Sequence, residues 1–312
     1  MAFSFSLNGC SYKNSNIINK YNFMAKKKKQ KKSRASKGRR RWRQLSFGGK
    51  IWRVLWVSLL VVWGFTVVQV LFCALFNPPL TPLMVKRFFQ QVGDPERTVR
   101  FERDYVPISQ ISDNLVNAVV VSEDGLFMYH HGFDIRQMKM AYIESKKGRR
   151  ERGGSTISQQ TAKNCFLPHN HSMLRKAVEA YYTSLIELVW GKKRIMECYL
   201  NIIEFGDGIY GCEAASQYYF HHSAAKLSKR EAALLAACLP TPLKSNPAHP
   251  SRYLSRQASV VQGRMSAYGR VKLDARREDL TPRYVKMMEE ENLWDFAWWV
   301  LTDGESLHKK KK

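Results

Sequence analysis

One long uncharged, apolar stretch stands near the start of the chain, at residues 54–76. At a rise of about 1.5 Å per residue, a helix of this length covers about 34 Å, which is enough to cross a bilayer core of ~30 Å. Trp52 and Trp56 lie near its start, where interfacial aromatic residues are common. The pattern predicts one transmembrane helix, followed by a linker at 77–99. Within the linker, residues 83–89 are expected either to lean on the membrane surface or to pack as ordinary core.

After the linker, apolar residues recur at helical rather than alternating spacing, which predicts a mainly α domain over residues 100–250. Ser172 is placed to cap a helix that runs to about Trp190. Two further helices are predicted at 192–200 and after the capping box at 228–231. On the helix that Ser172 caps, one apolar stripe is expected to face the core. It consists of Leu174, Val178, Tyr181, Leu185 and Leu188.

The net charge of +25 is concentrated at the ends of the chain. Residues 1–93 carry 18 Lys and Arg and no acid, whereas residues 94–308 are close to neutral. A folded domain that is nearly neutral is not expected to coat nucleic acid. Since positive residues stay on the cytoplasmic side, the basic tail at 1–53 is predicted to be cytoplasmic and the domain to lie outside. Met24, inside that tail, is an alternative start to Met1.

The six cysteines show no CxxC or other spacing that is typical of a metal site. Cys73 lies in the apolar stretch, and four others belong to the predicted domain. Buried free thiols are the first expectation. If the domain lies in an oxidising compartment, one or two disulfides are the alternative.

Four clusters of polar residues carry candidate chemistry. Glu123 begins an acidic pair that follows an apolar run, and a carboxyl against an apolar wall can have a raised pKa and accept a proton. Residues 152–164 combine glycines, hydroxyls, amides and cations, which suit a phosphate or a sugar. Arg175 and Glu179 form a helical i,i+4 pair, and residues 197–211 form the last cluster. Taken singly, these are ordinary features: a helix end, a capped turn, a surface ion pair and a loop.

In this order, the clusters resemble the signature blocks of glycosyltransferase family 51, the peptidoglycan glycosyltransferases. The resemblance implies a lysozyme-like glycosyltransferase domain at 100–250. Because about 60 residues follow, too few for a transpeptidase domain, the monofunctional biosynthetic transglycosylases are the most similar subgroup, with 251–312 as a C-terminal extension. The matching blocks are Glu-Asp-x-x-Phe-x-x-His-x-Gly at 123–132, Gly-Gly-Ser-Thr-Ile-x-Gln-Gln-x-x-Lys-Asn at 153–164, Arg-Lys-x-x-Glu at 175–179 and Glu-x-Tyr-Leu-Asn at 197–201.

The resemblance also implies the reaction and its residues. A glycan chain on undecaprenyl diphosphate would be the donor and lipid II the acceptor, with inversion at the anomeric carbon and release of undecaprenyl diphosphate. Glu123 is implied as the catalytic base and Glu179 as the second catalytic carboxylate. No organic cofactor is implied, and Mg or Mn can assist, although no all-protein metal site is expected. The implied substrate-binding residues are Lys163, Arg175, Arg152, Gln159, Ser155, Thr156 and Asn201.

Three rival functions remain at this point. A lysozyme-like lytic enzyme would cut glycan, but it needs no cations around a diphosphate. A membrane-tethered scaffold would explain the basic tail and the apolar helix alone, and a nucleic-acid binder fits least. The expected location is the inner membrane, single-pass, with a periplasmic catalytic domain. The expected partners are lipid II, the lipid-linked glycan, the membrane and proteins of cell-wall synthesis or division, without nucleic acid.

Overall fold

The computed structural model describes residues 27, 46–148, 153–170, 172–289, 296 and 300. These residues are mostly helical, which confirms the mainly α prediction. The helices are α1 (Phe47–Leu75), α2 (Pro82–Val92), α3 (Asp113–Glu123), α4 (Ile135–Lys146), α5 (Ile157–Phe166), α6 (Met173–Val189), α7 (Lys192–Ile202), α8 (Cys212–Phe220), α9 (Lys229–Cys238), α10 (Arg252–Tyr268) and α11 (Pro282–Glu289). The strands are β1 (Glu102–Arg103), β2 (Glu204–Gly206) and β3 (Ile209–Tyr210), and short 3-10 turns lie at Ile108–Gln110, Ala224–Lys226 and Arg277–Asp279.

Helix α1 is the one helix in the described part of the chain that is long and apolar enough to cross a membrane. It has 29 residues, with a mean hydropathy of 2.2 in its most apolar window, and it begins before the predicted start at Val54. The chain divides into two compact units, residues 1–66 and 67–312, so α1 contributes to both. Most of the tail at 1–45, including Met24, lies outside the described residues.

Inside the second unit, the last turns of α1 are hydrogen-bonded to α6 and α7. Trp190 Nε1 donates to the Val70 carbonyl at 2.9 Å, and the Arg194 guanidinium donates to the carbonyls of Cys73 at 2.8 Å and Phe76 at 3.0 Å. The last carbonyls of a helix have no intrahelical donor, and a cation there also suits the helix dipole. The end of α1 is therefore built into the second unit.

Two groups of helices form the core of that unit. Helices α5, α6 and α7 pack together, and α3, α9 and α10 form the second group. The three strands make a small sheet in the order β1-β3-β2, with β1 parallel and β2 antiparallel to β3. Strands of two or three residues are too short to show an alternating pattern, which is why the sequence did not predict them.

The predicted helix starts are confirmed. The Ser172 hydroxyl accepts the Arg175 N–H at the start of α6, and Ser228 and Glu231 form a reciprocal capping box at the start of α9. Helix α7 begins at Lys192 and ends at Ile202, two residues beyond the prediction.

The predicted apolar stripe on α6 is confirmed only in part: Val178, Tyr181 and Leu185 are partly buried and pack against the core, but its two ends do not. Leu174 and Leu188 are 76% and 83% exposed, whereas the buried face carries Glu179, Thr183 and Ile186. The hydroxyl of Thr183 donates to the Glu179 carbonyl at 2.7 Å, so its burial leaves no unpaired donor. A polar face can turn inward here because its groups find partners inside the protein.

The described cysteines are all free and buried, which confirms the expectation of free thiols; they are Cys73, Cys165, Cys198, Cys212 and Cys238. Beyond the predicted boundary at residue 250, α10 packs closely on α3 and α9. Its buried side chains are Leu254, Ala258, Val261 and Met265. Most of residues 290–312 lie outside the described part of the chain.

Candidate active site

Glu123 is the last residue of α3, directly after a buried apolar run. Its side chain is half-buried, and Gln160 Nε2 donates to Glu123 Oε2 at 2.8 Å. Burial raises the pKa of Glu123, and this outweighs the Gln160 hydrogen bond and the charge of Lys163, which lower it. The hydroxyl of Tyr199 in turn donates to Gln160 Oε1 at 3.2 Å. The chain from Tyr199 through Gln160 fixes the direction of a carboxylate that can accept a proton.

Asp124 joins the end of α3 to the start of α5. Its carboxylate accepts the Ile157 N–H at 3.0 Å, and His130 Nε2 lies 3.0 Å from both carboxylate oxygens. The other ring nitrogen of His130 accepts the Gly132 N–H at 3.0 Å. Burial works to raise the pKa of Asp124, but His130 and the Ile157 N–H outweigh it and lower the pKa overall. The Asp124 carboxylate is therefore ionised and fully paired, and its hydrogen bonds fix the backbone directly after Glu123.

The glycine-rich loop, residues 153–156, turns sharply into α5. Thr156 caps the helix, and its backbone N–H donates to Gln159 Oε1 at 3.0 Å in a reciprocal capping box. The Thr156 hydroxyl also donates to the Gly132 carbonyl at 2.6 Å. A Cβ on Gly154 would lie 2.9 Å from the Ala141 Cβ, so only glycine allows this close approach to α4. Gln159 and Thr156 were predicted to bind substrate. Their polar groups are instead hydrogen-bonded within the protein, where they hold the shape of the loop.

Lys163, one turn after Gln160, presents an available ammonium group. Among the described residues its Nζ has no hydrogen-bond or ion-pair partner, and its side chain is half-buried. Burial lowers the pKa of Lys163, while the charges of Glu179 and Glu123 raise it. The ammonium group therefore lies within electrostatic range of both carboxylates, where an anionic group of a substrate can bind.

Glu179 is only 2% exposed, so the interpretation as a surface ion pair was wrong. Its two carboxylate oxygens accept from Arg175 Nη1 at 2.8 Å and Lys176 Nζ at 2.5 Å. Lys176 also donates to the Ser155 hydroxyl at 3.1 Å, which connects Glu179 to the glycine-rich loop. Arg175 Nε is buried without a partner among the described residues. This N–H donor and the ammonium group of Lys163 are therefore cationic groups without a hydrogen-bond partner near the buried Glu179 carboxylate.

A cavity of about 250 Å³ opens beside Glu123. Its walls come from the end of α3, the start of α4, the glycine-rich loop and α10, and they include Asp134, Ser155 and Arg264. Glu179 does not line this cavity. The two predicted catalytic carboxylates are linked indirectly. Lys176 donates to both Glu179 and Ser155, and Ser155 lines the cavity beside Glu123. The charge of Lys163 also acts on both carboxylates.

One predicted substrate-binding residue, Asn201, is not brought to this site. Asn201 is fully buried, and its amide is used internally: Nδ2 donates to the carbonyls of Val106 and Glu197 at 2.9 and 2.7 Å, and Oδ1 accepts the Val106 N–H at 3.0 Å. It holds the segment before α3 against α7. Arg152 lies outside the described residues.

The described residues do not form a metal site of their own. They contain no cluster of three or more His, Cys, Asp or Glu side chains that could hold an ion. Glu179 is surrounded by cations, which compete with a metal ion for its oxygens. This donor set does not fit a metal ion bound by protein groups alone.

Sequence reasoning missed four residues here. Gln160 and Lys176 directly follow residues that it selected, and Tyr199 lies within the last signature block, so their positions carried a signal. Arg264 stands outside every block, and only the packing of α10 brings it to the cavity.

Comparison with known proteins identifies the family. The family model described as transglycosylase matches residues 90–266. Transglycosylase domains are lysozyme-like, which confirms the predicted fold. A biosynthetic peptidoglycan transglycosylase of Caulobacter vibrioides is 45% identical over 208 residues, 67% of this chain and 88% of the relative. Proteins of the same name from Pseudomonas syringae and Bacteroides thetaiotaomicron are each 44% identical, over 62% and 68% of this chain and 81% and 86% of their own lengths.

Proposed function

This chain belongs to the transglycosylase family, and from that membership we propose that it is a peptidoglycan glycosyltransferase that polymerises lipid II. The donor would be a glycan chain on undecaprenyl diphosphate. One observation carries the proposal. The Lys163 ammonium group, which has no hydrogen-bond partner among the described residues, interacts electrostatically both with Glu123, whose pKa is raised, and with the buried Glu179. A proton acceptor beside free cations is what transfer of a sugar from a diphosphate requires.

In the proposed reaction, the 4-hydroxyl of the acceptor attacks the anomeric carbon of the donor. A new C–O bond forms on one face of the sugar, the bond to the diphosphate breaks on the opposite face, and the α linkage becomes β. Glu123 takes the hydroxyl proton. Lys163 and Arg175 stabilise the negative charge that develops on the departing diphosphate, with Arg152 as a further cation of the loop. Ser155 and Lys176 position Glu179 beside this group.

The cations around Glu179 supply positive charge for these roles. If Mg or Mn assists, we expect it to be bound mainly through substrate phosphates, because the described residues offer no cage for it.

The proposed location follows from α1 and its flank. Residues 26–53 carry 14 Lys and Arg without an acid, which supports a cytoplasmic tail and a periplasmic catalytic unit beside the lipid-linked substrate. Fusion of alkaline phosphatase, which is active only outside the cytoplasm, to the C-terminus tests this. An inactive fusion, with a cytoplasmic reporter active in its place, would contradict the orientation.

The activity is tested with the full-length protein in detergent and labelled lipid II. The expected products are a β-linked glycan polymer and free undecaprenyl diphosphate. Preformed glycan strands are the matched second substrate. Cleavage of those strands without any polymerisation of lipid II would instead favour a lytic enzyme.

A further inference from the structure

Helix α10 follows the four signature blocks, and no sequence motif gives it a function. Its buried stripe packs on α3 and α9, so α10 runs beside the helix that ends at Glu123. The helix ends at Tyr268 and is capped by Gly269, where φ is +83°, and Val271 N–H then donates to Asn117 Oδ1 on α3 at 2.8 Å. The position of α10 relative to α3 is thus fixed along its length and just after its end.

Two side chains of α10 face the loop that follows Glu123. Arg264 and Tyr268 are four residues apart, so they lie on the same side of the helix. The Tyr268 hydroxyl donates to the Gly125 carbonyl at 2.9 Å, and Arg264 lines the cavity beside Glu123. This hydrogen bond ties the helix face that carries Arg264 to the loop that follows Glu123.

The charge around the cavity is uneven. Glu123, Asp124 and Asp134 line it, and Arg264 is the one Lys or Arg among its described lining residues. Within the described part of the chain, Arg264 has no hydrogen-bond or ion-pair partner. A cation that is not used by the protein, at the opening of a cavity lined by acids, is available to an anionic group of a ligand.

We propose that Arg264 is a substrate-binding residue, whose guanidinium binds an anionic group of the lipid-linked saccharide while a hydroxyl of that saccharide reaches Glu123. The inference rests on the proposed function and adds a contact in the cavity, which the signature cations Lys163 and Arg175 do not line. The shared chemistry is that of a carboxylate or a phosphate, both of which match the planar fork of Arg. Arg264 would also offset the repulsion between such a group and the acids of the cavity.

The test replaces Arg264 by Gln in the full-length protein and measures steady-state polymerisation of lipid II. We expect KM to rise about tenfold, equivalent to about 1.4 kcal/mol of binding, with little change in kcat. The matched control is Arg256→Gln, which removes the same charge from an exposed position of α10 that does not line the cavity. Thermal unfolding of both variants checks that they are folded.

Two substrate arms distinguish the source of the anion. If Arg264 binds a peptide carboxylate, lipid II with amidated peptide carboxylates raises the KM of the wild type, and Arg264→Gln adds no further loss. If it binds the diphosphate, the amidated substrate leaves the effect of Arg264→Gln intact, and inorganic diphosphate inhibits the wild type more strongly than the variant.

An unchanged KM in a folded Arg264→Gln variant would overturn the inference, as would an equal rise in Arg256→Gln. Either result, with an active wild type, leaves the proposed function standing. An inactive wild type would instead refute the function itself.

Discussion

Asp124 is the residue whose removal should show most clearly how the site is held together. In Asp124→Asn, an amide oxygen in the place of Oδ2 can still accept the Ile157 N–H, but the NH₂ group then takes the place of Oδ1, 3.0 Å from the Nε2–H of His130, and finds no acceptor there. A shift of the His130 proton to Nδ1 would not help, because Nδ1 accepts the Gly132 N–H. The variant therefore loses one hydrogen bond to a charged group and leaves one buried donor unpaired, which together cost about 3 kcal/mol. For a domain of this size, the expected fall in Tm is about 6–12 °C.

Thermal unfolding followed by circular dichroism measures this. The control is Asp113→Asn, the same chemical change at the start of α3, where the ion pair with Arg270 is mostly exposed and contributes little. Its Tm should change by less than about 3 °C. Because the pKa of Asp124 is lowered in the fold, its stabilisation is present above the ordinary value of 3.8 and is lost below it, so the difference between wild type and variant should narrow there. A Tm for Asp124→Asn within the range of the control would refute the reasoning.

Two further predictions concern the catalytic groups. Gln160→Met removes a hydrogen bond that lowers the pKa of Glu123, so the acid limb of the profile of kcat/KM against pH should move to higher pH; an unmoved limb would argue against Glu123 as the titrating base. Lys163→Ala should lower kcat/KM for the donor about 10²-fold while Tm changes little, because the ammonium group has no hydrogen-bond partner among the described residues; unchanged donor kinetics would exclude a role at the diphosphate.

The sequence predicted the elements whose signals are local. The cap at Ser172, the capping box that starts with Ser228 and the apolar helix α1 depend on residues a few positions apart, and each is present. The orientation of α6 followed only in part from its apolar residues, because Glu179 is also buried, together with the cations that pair with it. Such pairing becomes visible only when distant segments meet.

In the candidate site, too, local signals were predicted and tertiary contacts were not. Sequence blocks identified Glu123 and Lys163, but they could not separate Gln159 from its neighbour Gln160. The structure uses the first to cap α5 and the second to orient Glu123. Arg264 reaches the cavity through the packing of α10, a tertiary contact that no local pattern encodes.

The central claim is that Glu123 takes the proton from the attacking sugar hydroxyl. The most direct measurement compares the polymerisation of labelled lipid II by wild type and by Glu123→Gln, which keeps the size of the side chain and removes the base. The account predicts no detectable glycan polymer from a variant that remains folded and membrane-bound. Polymerisation at the wild-type rate by that variant would contradict it.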